Sequence, residues 1–403
     1  MLWLYNIAIL FYGLIVKIFS LFNSKAALFV KGRVGILSKI TETLDPSRKH
    51  IWFHFASLGE FEQGRPVLEK IRQNYPEKPI VITFFSPSGY EIRKNYEGAA
   101  GVFYLPLDTA SNARKLIAAF NPEMAVFTKY EYWYHYYKGL SDKNIPVLII
   151  SGIFRKEQIF FKWYGSIHRE ILSFVSYFFV QNEESKSLLE GIAITNVTVS
   201  GDTRFDRVAE NAAAPKQTAF IDEFCKDQRV FIGGSTWPAD EQLIAELAKR
   251  NPDWKFIIAP HEIDGSHISS IQSLFPNAIK YSDQQQVPSQ TLIIDNIGLL
   301  SSIYQYGNIA YIGGGFGVGI HNTLEAAAFG IPVIFGPNYQ RFQEAKDLLE
   351  IRAAISISTF EELMLAFDNL TSDKEAGKRA KAYVNTRKGS TMQIFNYIQK
   401  LIG

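Results

Sequence analysis

IAYIGGGFGVGIHNTLEAAAFGIPVIFGPNYQRF, residues Ile309 to Phe342, is the stretch on which the fold turns. Ile309 to Ile312 is a short apolar run suited to a buried strand. Gly313, Gly314, Gly315, Gly317 and Gly319 follow, where a backbone can turn sharply or approach a ligand closely. Asn322 has the character of an N-cap, with Glu325 at the capping-box position of a helix to about Phe329. A second strand, Pro332 to Phe335, comes directly after. Strand, glycine loop, helix and strand form a geometry that offers amides and a positive helix end to an anion. The same spacing also fits a plain tight turn with an ordinary cap. It is neither a GxGxxG fingerprint, because the third glycine is out of step, nor a P-loop, because no Gly-Lys-Ser/Thr follows.

Working outward, the rest of the second half repeats this rhythm. Strands are expected at Val230 to Gly233, Lys255 to Ala259 and Thr291 to Ile294, with a polar surface loop over Ser282 to Gln290. In the first half, from His50, they are expected at Ile51 to Phe55, Ile80 to Phe84, Val102 to Leu105, Met124 to Thr128, Val147 to Ser151 and Tyr177 to Val180. Helical segments lie between them, so each half reads as a parallel, doubly wound α/β sheet. The linker-like run Asn211 to Pro215 breaks the pattern after Gly201-Asp202-Thr203-Arg204-Phe205-Asp206. The expected divisions are an anchor over residues 1–22, an N-terminal domain over 23–205 and a C-terminal domain over 206–403. The last helix, about Asp373 to Leu401, is a candidate to pack back on the first domain.

Composition is consistent with this. A chain of 403 residues exceeds one ordinary core, and 31 Phe and 20 Tyr supply core material. A single cysteine, Cys225, rules out an intramolecular disulfide framework or a Cys-based zinc cluster and reads as a small helical side chain. A net charge of +2 argues against a dedicated nucleic-acid binder. The first 60 residues nevertheless carry seven Lys or Arg against three Asp or Glu. This basic excess follows Leu2 to Phe22, an apolar run about as long as a bilayer crossing of roughly 20 residues. No basic segment precedes that run and no small-x-small site follows, so an anchor is expected and a cleavable signal peptide is not. Anchor and basic residues together point to an anionic membrane surface, with the chain held on the cytoplasmic side.

Candidate chemistry gathers after the strands, where open α/β sheets bind ligands. Ser57-Leu58-Gly59-Glu60 follows the first strand. Glu60 could remove a proton from an attacking hydroxyl, and Ser57 with Glu60 equally satisfies a capping box, where the helix dipole tends to lower a carboxylate's pKa. Glu131, within Tyr130-Glu131-Tyr132-Trp133, reads equally as a ligand or a fold residue. In the second half, Gly234-Ser235-Thr236 and Pro260-His261 end two strands and suit a nucleotide, although a lone histidine such as His261 after a strand is more often a plain loop residue than a ligand. With no Asp-x-Asp and no HExxH, no metal is expected.

In order along the chain, these motifs resemble the Kdo transferase family, which has the GT-B fold of two doubly wound Rossmann-like domains with a cleft between them. Lys31-Gly32-Arg33 with Gly35 resembles its basic segment after the membrane anchor. His54-Phe55-Ala56-Ser57-Leu58-Gly59-Glu60 resembles its H-x-x-S-x-G-E, and Glu131-Tyr132-Trp133 its E-L-W. Gly201 to Asp206 resembles G-N-x-K-x-D with Arg204 for lysine. Gly234-Ser235-Thr236 matches G-S-T, Gly319 to Glu325 resembles G-G-H-N-x-L-E, and Phe335-Gly336-Pro337 matches F-G-P. Ile320 replaces the second glycine of G-G-H-N, and Tyr134 stands where proline is usual.

The resemblance implies an inverting glycosyltransferase of lipopolysaccharide biosynthesis. It would move 3-deoxy-D-manno-octulosonic acid (Kdo) from CMP-Kdo to a lipid A precursor (lipid IVA) at the cytoplasmic face of the inner membrane, with no cofactor. Glu60 matches the catalytic base. Arg33, Ser57, Gly59, Arg65, Glu131 and Arg204 are the expected acceptor or Kdo contacts. Gly234, Ser235, Thr236, Pro260, His261, Gly314, Gly315, Gly317, Gly319, His321, Asn322 and Glu325 are the expected nucleotide contacts. The competing readings are another GT-B nucleotide-sugar enzyme, such as an epimerase, and a non-catalytic membrane-anchored nucleotide-binding protein.

Overall fold

The computed structural model describes residues 2–284 and 288–402. Its contacts divide the chain into two units: residues up to Asp206 together with those from Gly389 onward, and Arg207–Lys388.

The first unit holds seven strands: β1 (His50–Phe55), β2 (Ile80–Phe84), β3 (Gly101–Tyr104), β4 (Pro122–Thr128), β5 (Val147–Gly152), β6 (Tyr177–Val180) and β7 (Val197–Val199). They pair parallel in the order β3-β2-β1-β4-β5-β6-β7, with Phe53 opposite both Ile82 and Val126. The strands are continuous apolar runs because helices cover both faces. Phe53, Phe55, Val126 and Ile150 pack on one face, and Trp52, Phe127, Ile149 and Tyr136 on the other. The strand order reverses between β1 and β4, so the loops after those two strands part and leave a crevice.

The second unit repeats the plan with β8 (Arg229–Thr236), β9 (Trp254–Pro260), β10 (Ile279–Lys280), β11 (Thr291–Ile293), β12 (Ile309–Ile312), β13 (Val333–Phe335) and β14 (Ala354–Ser356). Their order is β10-β11-β9-β8-β12-β13-β14, all parallel where paired, and the reversal falls between β8 and β12. Cys225 is a buried thiol at the end of the helix Ala219–Cys225. The expected polar loop over Ser282 to Gln290 includes residues 285–287, which lie outside the described residues.

One expected element is two. The last helix is broken at Gly389, whose φ of 121° belongs to the left-handed region that glycine favours. Ala376–Arg387 packs in the second unit, while Ser390–Ile402 packs in the first against the helix Leu58–Asn74. Asp206 fixes the start of that final helix by accepting from the Gly389 and Thr391 amides and the Thr391 hydroxyl at 2.5, 2.8 and 2.8 Å.

The apolar N-terminal run forms the helix Leu2–Phe19, which has no fully buried residue. A narrow stripe, Tyr5, Ile9, Gly13 and Val16, is half-buried, and nearly all of the rest is exposed apolar surface. Along the stripe, the Tyr5 hydroxyl donates to Asp108 at 2.6 Å, Asn6 pairs with His135, and Tyr12 stacks on Phe85. Asp108 and Phe85 lie in loops following β3 and β2, and His135 lies in the first turn of the helix Tyr134–Ser141 after β4, so the helix runs along the carboxyl edge of the first sheet.

Candidate active site

Glu60 stands at the crevice of the first unit, in the first turn of Leu58–Asn74, with Ser57 at the N-cap. The expected capping box is not formed. Ser57 caps nothing through its side chain, and Glu60 accepts the Ala56 amide at 2.6 Å, one residue ahead of the cap. Its carboxyl is almost buried, and its pKa moves opposite to the dipole expectation, up to about 7. Burial is the main cause and the charge of Glu131 the second, with the Ala56 amide and Lys129 pulling the other way. Gly59 beside it is exposed, and an added Cβ would meet only the Ser57 hydroxyl, at 3.9 Å. The approach to Glu60 is open on that side.

Glu131, after β4, is wired in place. Its Oε2 accepts from the Trp133 indole at 2.9 Å and pairs with His54 Nε2 at 3.0 Å. His54 Nδ1 meets the Thr83 hydroxyl at 2.8 Å, and that hydroxyl accepts from the Trp52 indole at 2.8 Å. With a carboxylate as its partner, the Nε2 of His54 carries a proton. Sequence reasoning placed His54 in a motif but gave it no site role. Its period-two position on a buried strand was the available signal, because a buried polar side chain needs partners.

The three arginines expected at substrate are all engaged by the protein itself. Arg33 donates from its three nitrogens to the carbonyls of Leu105, Phe29 and Phe85 at 2.7–2.9 Å and lies 3.5 Å over the Phe29 ring. It brackets the helix Ser24–Lys31 onto the loops after β2 and β3. Arg65 pairs with Glu69 at 2.6 Å and Glu62 at 3.5 Å along its own helix. Arg204 pairs with buried Asp202 at 2.8 Å, and Asp202 also accepts from Gln63 at 2.7 Å. A guanidinium already satisfied by internal acceptors is a bracket first.

At the β8/β12 reversal of the second unit, Gly234, Ser235 and Thr236 end β8, and the glycine loop follows β12. Asp240 ties the two together by accepting the amides of Trp237 and Gly314 at 2.9 and 3.0 Å and the Tyr311 hydroxyl at 2.8 Å. The glycines serve their own backbone more than the sequence suggested. Gly314 has a φ of 90°, and a Cβ on Gly315 would come within 2.6 Å of Gly336. The amides of Gly313, Gly314, Gly317, Gly319 and His321 are taken within the protein, and Gly317 is the exposed one of the five glycines. Asn322 is not the N-cap. Thr323 holds that position, while Asn322 accepts from the Leu324 amide and donates to Glu325 at 3.0 Å.

Around this loop, Trp237, His261 and His321 form a ring stack with centroids 4.9 and 4.3 Å apart, and the Trp237 indole donates to His321 at 3.1 Å. Burial and the neighbouring His261 lower the His321 pKa to about 4, so its ring is neutral at pH 7. Pro260 is buried beneath. A cavity of about 270 Å³ opens beside Trp237, Asp240, Gly314, Phe316 and Gly317. A larger one, about 530 Å³, lies at the far edge of this sheet among Trp254, Phe275 and Gln290 and holds no motif residue. Among the described residues, no group of three or more His, Cys, Asp or Glu could hold a metal ion.

Comparison with known proteins gives the fold and then the class. UDP-GlcNAc 2-epimerase from Neisseria meningitidis shares the architecture, with a TM-score of 0.60 at 15% identity over 88% of this chain and 99% of that one. The Methanocaldococcus jannaschii UDP-GlcNAc 2-epimerase does so with a TM-score of 0.55 at 17% identity, over 84% and 99%. At such identities these likenesses speak to fold alone. The fold is GT-B. Residues 30–207 match the family described as 3-deoxy-D-manno-octulosonic-acid transferase (kdotransferase). A 3-deoxy-D-manno-octulosonic acid transferase of Chlamydia trachomatis is 25% identical over 87% of this chain and 86% of its own. A bifunctional glycosyltransferase/methyltransferase of Fusobacterium nucleatum is 24% identical over 83% of this chain, which spans about half of it (54%). Over most of its length the chain is thus similar to Kdo transferases, and these relatives make it a glycosyltransferase.

Proposed function

We propose that this protein transfers Kdo from CMP-Kdo to a lipid A precursor at the cytoplasmic face of the inner membrane, with inversion and with Glu60 as general base. The observation that carries the reading is the Glu60 carboxyl itself: almost buried, steadied by the Ala56 amide, open on the Gly59 side, and poised at about 7. A carboxylate with that pKa accepts a proton near neutral pH far better than an ordinary glutamate. In the reaction, Glu60 takes the proton of an acceptor hydroxyl as its oxygen forms a bond to the anomeric carbon of Kdo. The bond from that carbon to the CMP phosphate oxygen breaks, and CMP leaves with the electron pair.

Glu131 contributes a fixed negative charge that keeps the Glu60 pKa raised. The second unit would take the CMP moiety, with the glycine loop and the Trp237–His261–His321 stack around the phosphate and base, and Glu325 at the ribose hydroxyls. No metal ion is invoked, since inversion from a CMP-sugar needs only proton removal and stabilisation of the departing phosphate. Leu2–Phe19 would serve as the anchor. Its half-buried stripe rests on loops along its length, so a perpendicular crossing would drag those loops into the hydrocarbon. The helix therefore lies in the interface, with its exposed apolar faces in the lipid.

The test is transfer of labelled Kdo, from CMP-Kdo generated in situ, to a tetraacyl lipid A precursor by wild type and Glu60→Gln, with CMP binding measured on both. Product from wild type, none from the variant, and equal CMP binding support the reading. CMP binding without product from either protein points to a different acceptor or to the binding-protein reading, and no CMP binding sinks the reading.

A further inference from the structure

We propose that the loop Lys162-Trp163-Tyr164 is a second contact with an anionic bilayer and sets the angle at which the sheet edge carrying Glu60 meets it. The inference rests on the reading of Leu2–Phe19 as a membrane anchor and extends it to a part of the fold that no motif touches.

Trp163 is 90% exposed and Tyr164 52%, and the two rings meet only edge-on, with centroids 5.4 Å apart. The fold does not need them inside, because Phe160 from the same loop already turns inward against Tyr132 and Phe154. Nor does the loop have to rearrange to present them. Arg169 donates to the carbonyls of Phe160 and Lys162 at 3.0 and 2.7 Å, and the Gly165 amide closes onto Lys162 at 3.0 Å. Gly165 is packed so tightly that a Cβ would stand 1.9 Å from the Ile159 carbonyl. A braced turn that holds an indole in solvent is an anchor without a partner.

Position and charge name the partner. The N-terminal helix covers segments that follow β2, β3 and β4, and this loop follows β5, the next strand along the same carboxyl edge. The link between them is short. Tyr5 packs on Tyr134, whose hydroxyl donates to Glu170 at 2.8 Å, and Glu170 adjoins the bracing Arg169. Arg155, Lys156 and Lys162 stand against Glu157 in the segment, so it is net positive where the aromatic rings are exposed. Tryptophan and tyrosine flanked by basic residues suit the headgroup layer of an anionic membrane. Two contacts on one sheet edge fix an orientation that a single helix leaves free to roll.

The experiment uses the full chain with vesicles of phosphatidylcholine alone and of phosphatidylcholine with 30% phosphatidylglycerol, chosen as roughly the anionic content of a cytoplasmic leaflet. Trp163→Ala with Tyr164→Ala should weaken binding to the anionic vesicles about tenfold. Lys162→Glu should remove part of the preference for the anionic ones. Brominated lipid should quench wild-type fluorescence more than that of Trp163→Phe. Leu10→Asp with Leu14→Asp, on the exposed face of the helix, is the control for the anchor. Loss with the helix variant but wild-type behaviour of all three loop variants overturns the loop and leaves the anchor standing. Undiminished binding by the helix variant overturns the anchor reading itself. If the loop variants instead turn a dimer into a monomer in sedimentation equilibrium, with vesicle binding intact, the occupant is a second copy and the proposal is overturned.

Discussion

The two strand-order reversals of this molecule share a topology and differ in everything that fills them. Between β1 and β4 stand two carboxylates, Glu60 and Glu131, the second tied through His54 and Thr83 to an indole inside the sheet. Between β8 and β12 stand a braced glycine loop and a stack of indole and imidazole rings, one of them held neutral. In the first crevice burial and a like charge raise a carboxyl's pKa, which makes a proton acceptor. In the second, a buried carboxylate, Asp240, is spent on holding backbone in place. The topology provides two crevices, and the side chains at the strand ends give them different chemistry; in the function proposed above, the first would handle a proton and the second would hold the nucleotide.

If that division is right, variants should separate the two crevices cleanly. The largest effect is expected from Glu60→Gln, which should lower kcat for Kdo transfer by roughly 10² to 10⁴ while CMP affinity holds in a calorimetric titration. Next, Gly315→Ala forces a methyl against the Gly336 backbone, 2.6 Å away. It should weaken CMP binding by at least about tenfold with the loop displaced, and should leave Glu60 titrating as before. Asp240→Asn replaces an acceptor of three hydrogen bonds with a group that also donates, so it should cost about 1–3 kcal/mol of stability in denaturant unfolding and weaken CMP with it.

The smallest effect sharpens the first crevice alone. A Glu60 that keeps its proton up to about 7 in the folded protein, against 4.5 unfolded, is released earlier by the unfolded chain. Its contribution to stability is therefore complete below about 4.5 and is lost as pH rises through 7. Glu60→Gln, which keeps an acceptor for Ala56, should raise the melting temperature by a few degrees at pH 8 and leave it unchanged at pH 4.5. Equal shifts at both pH values would contradict the raised pKa.

The long apolar strands were readable because burial on both faces leaves continuous runs such as Ile80 to Phe84 and Ile309 to Ile312, which match the structure end to end. The edge strands β7, β10 and β14, only three, two and three residues long, escaped because so few residues carry no period. The break at Gly389 escaped because one glycine in a helical pattern is ambiguous until its φ is known. At the site, motif order located Glu60, Glu131 and the glycine loop. The sign of the Glu60 shift was not readable, because it depends on burial and on a carboxylate 71 positions away in sequence. Nor was the internal engagement of Arg33, Arg65 and Arg204. Their acceptors are backbone carbonyls and carboxylates brought close by the fold, and a sequence shows the guanidinium without its partners.

The central claim, that Glu60 is a base whose pKa Glu131 helps to hold up, is tested most directly by the pH dependence of kcat/KM for Kdo transfer in wild type and Glu131→Gln. The account expects activity to rise with pH through about 7 in wild type. Removing the neighbouring charge should move that acidic limb to lower pH, with activity surviving on the plateau. A limb that stays in place in Glu131→Gln, or a wild-type profile with no ionisation near 7, would contradict it.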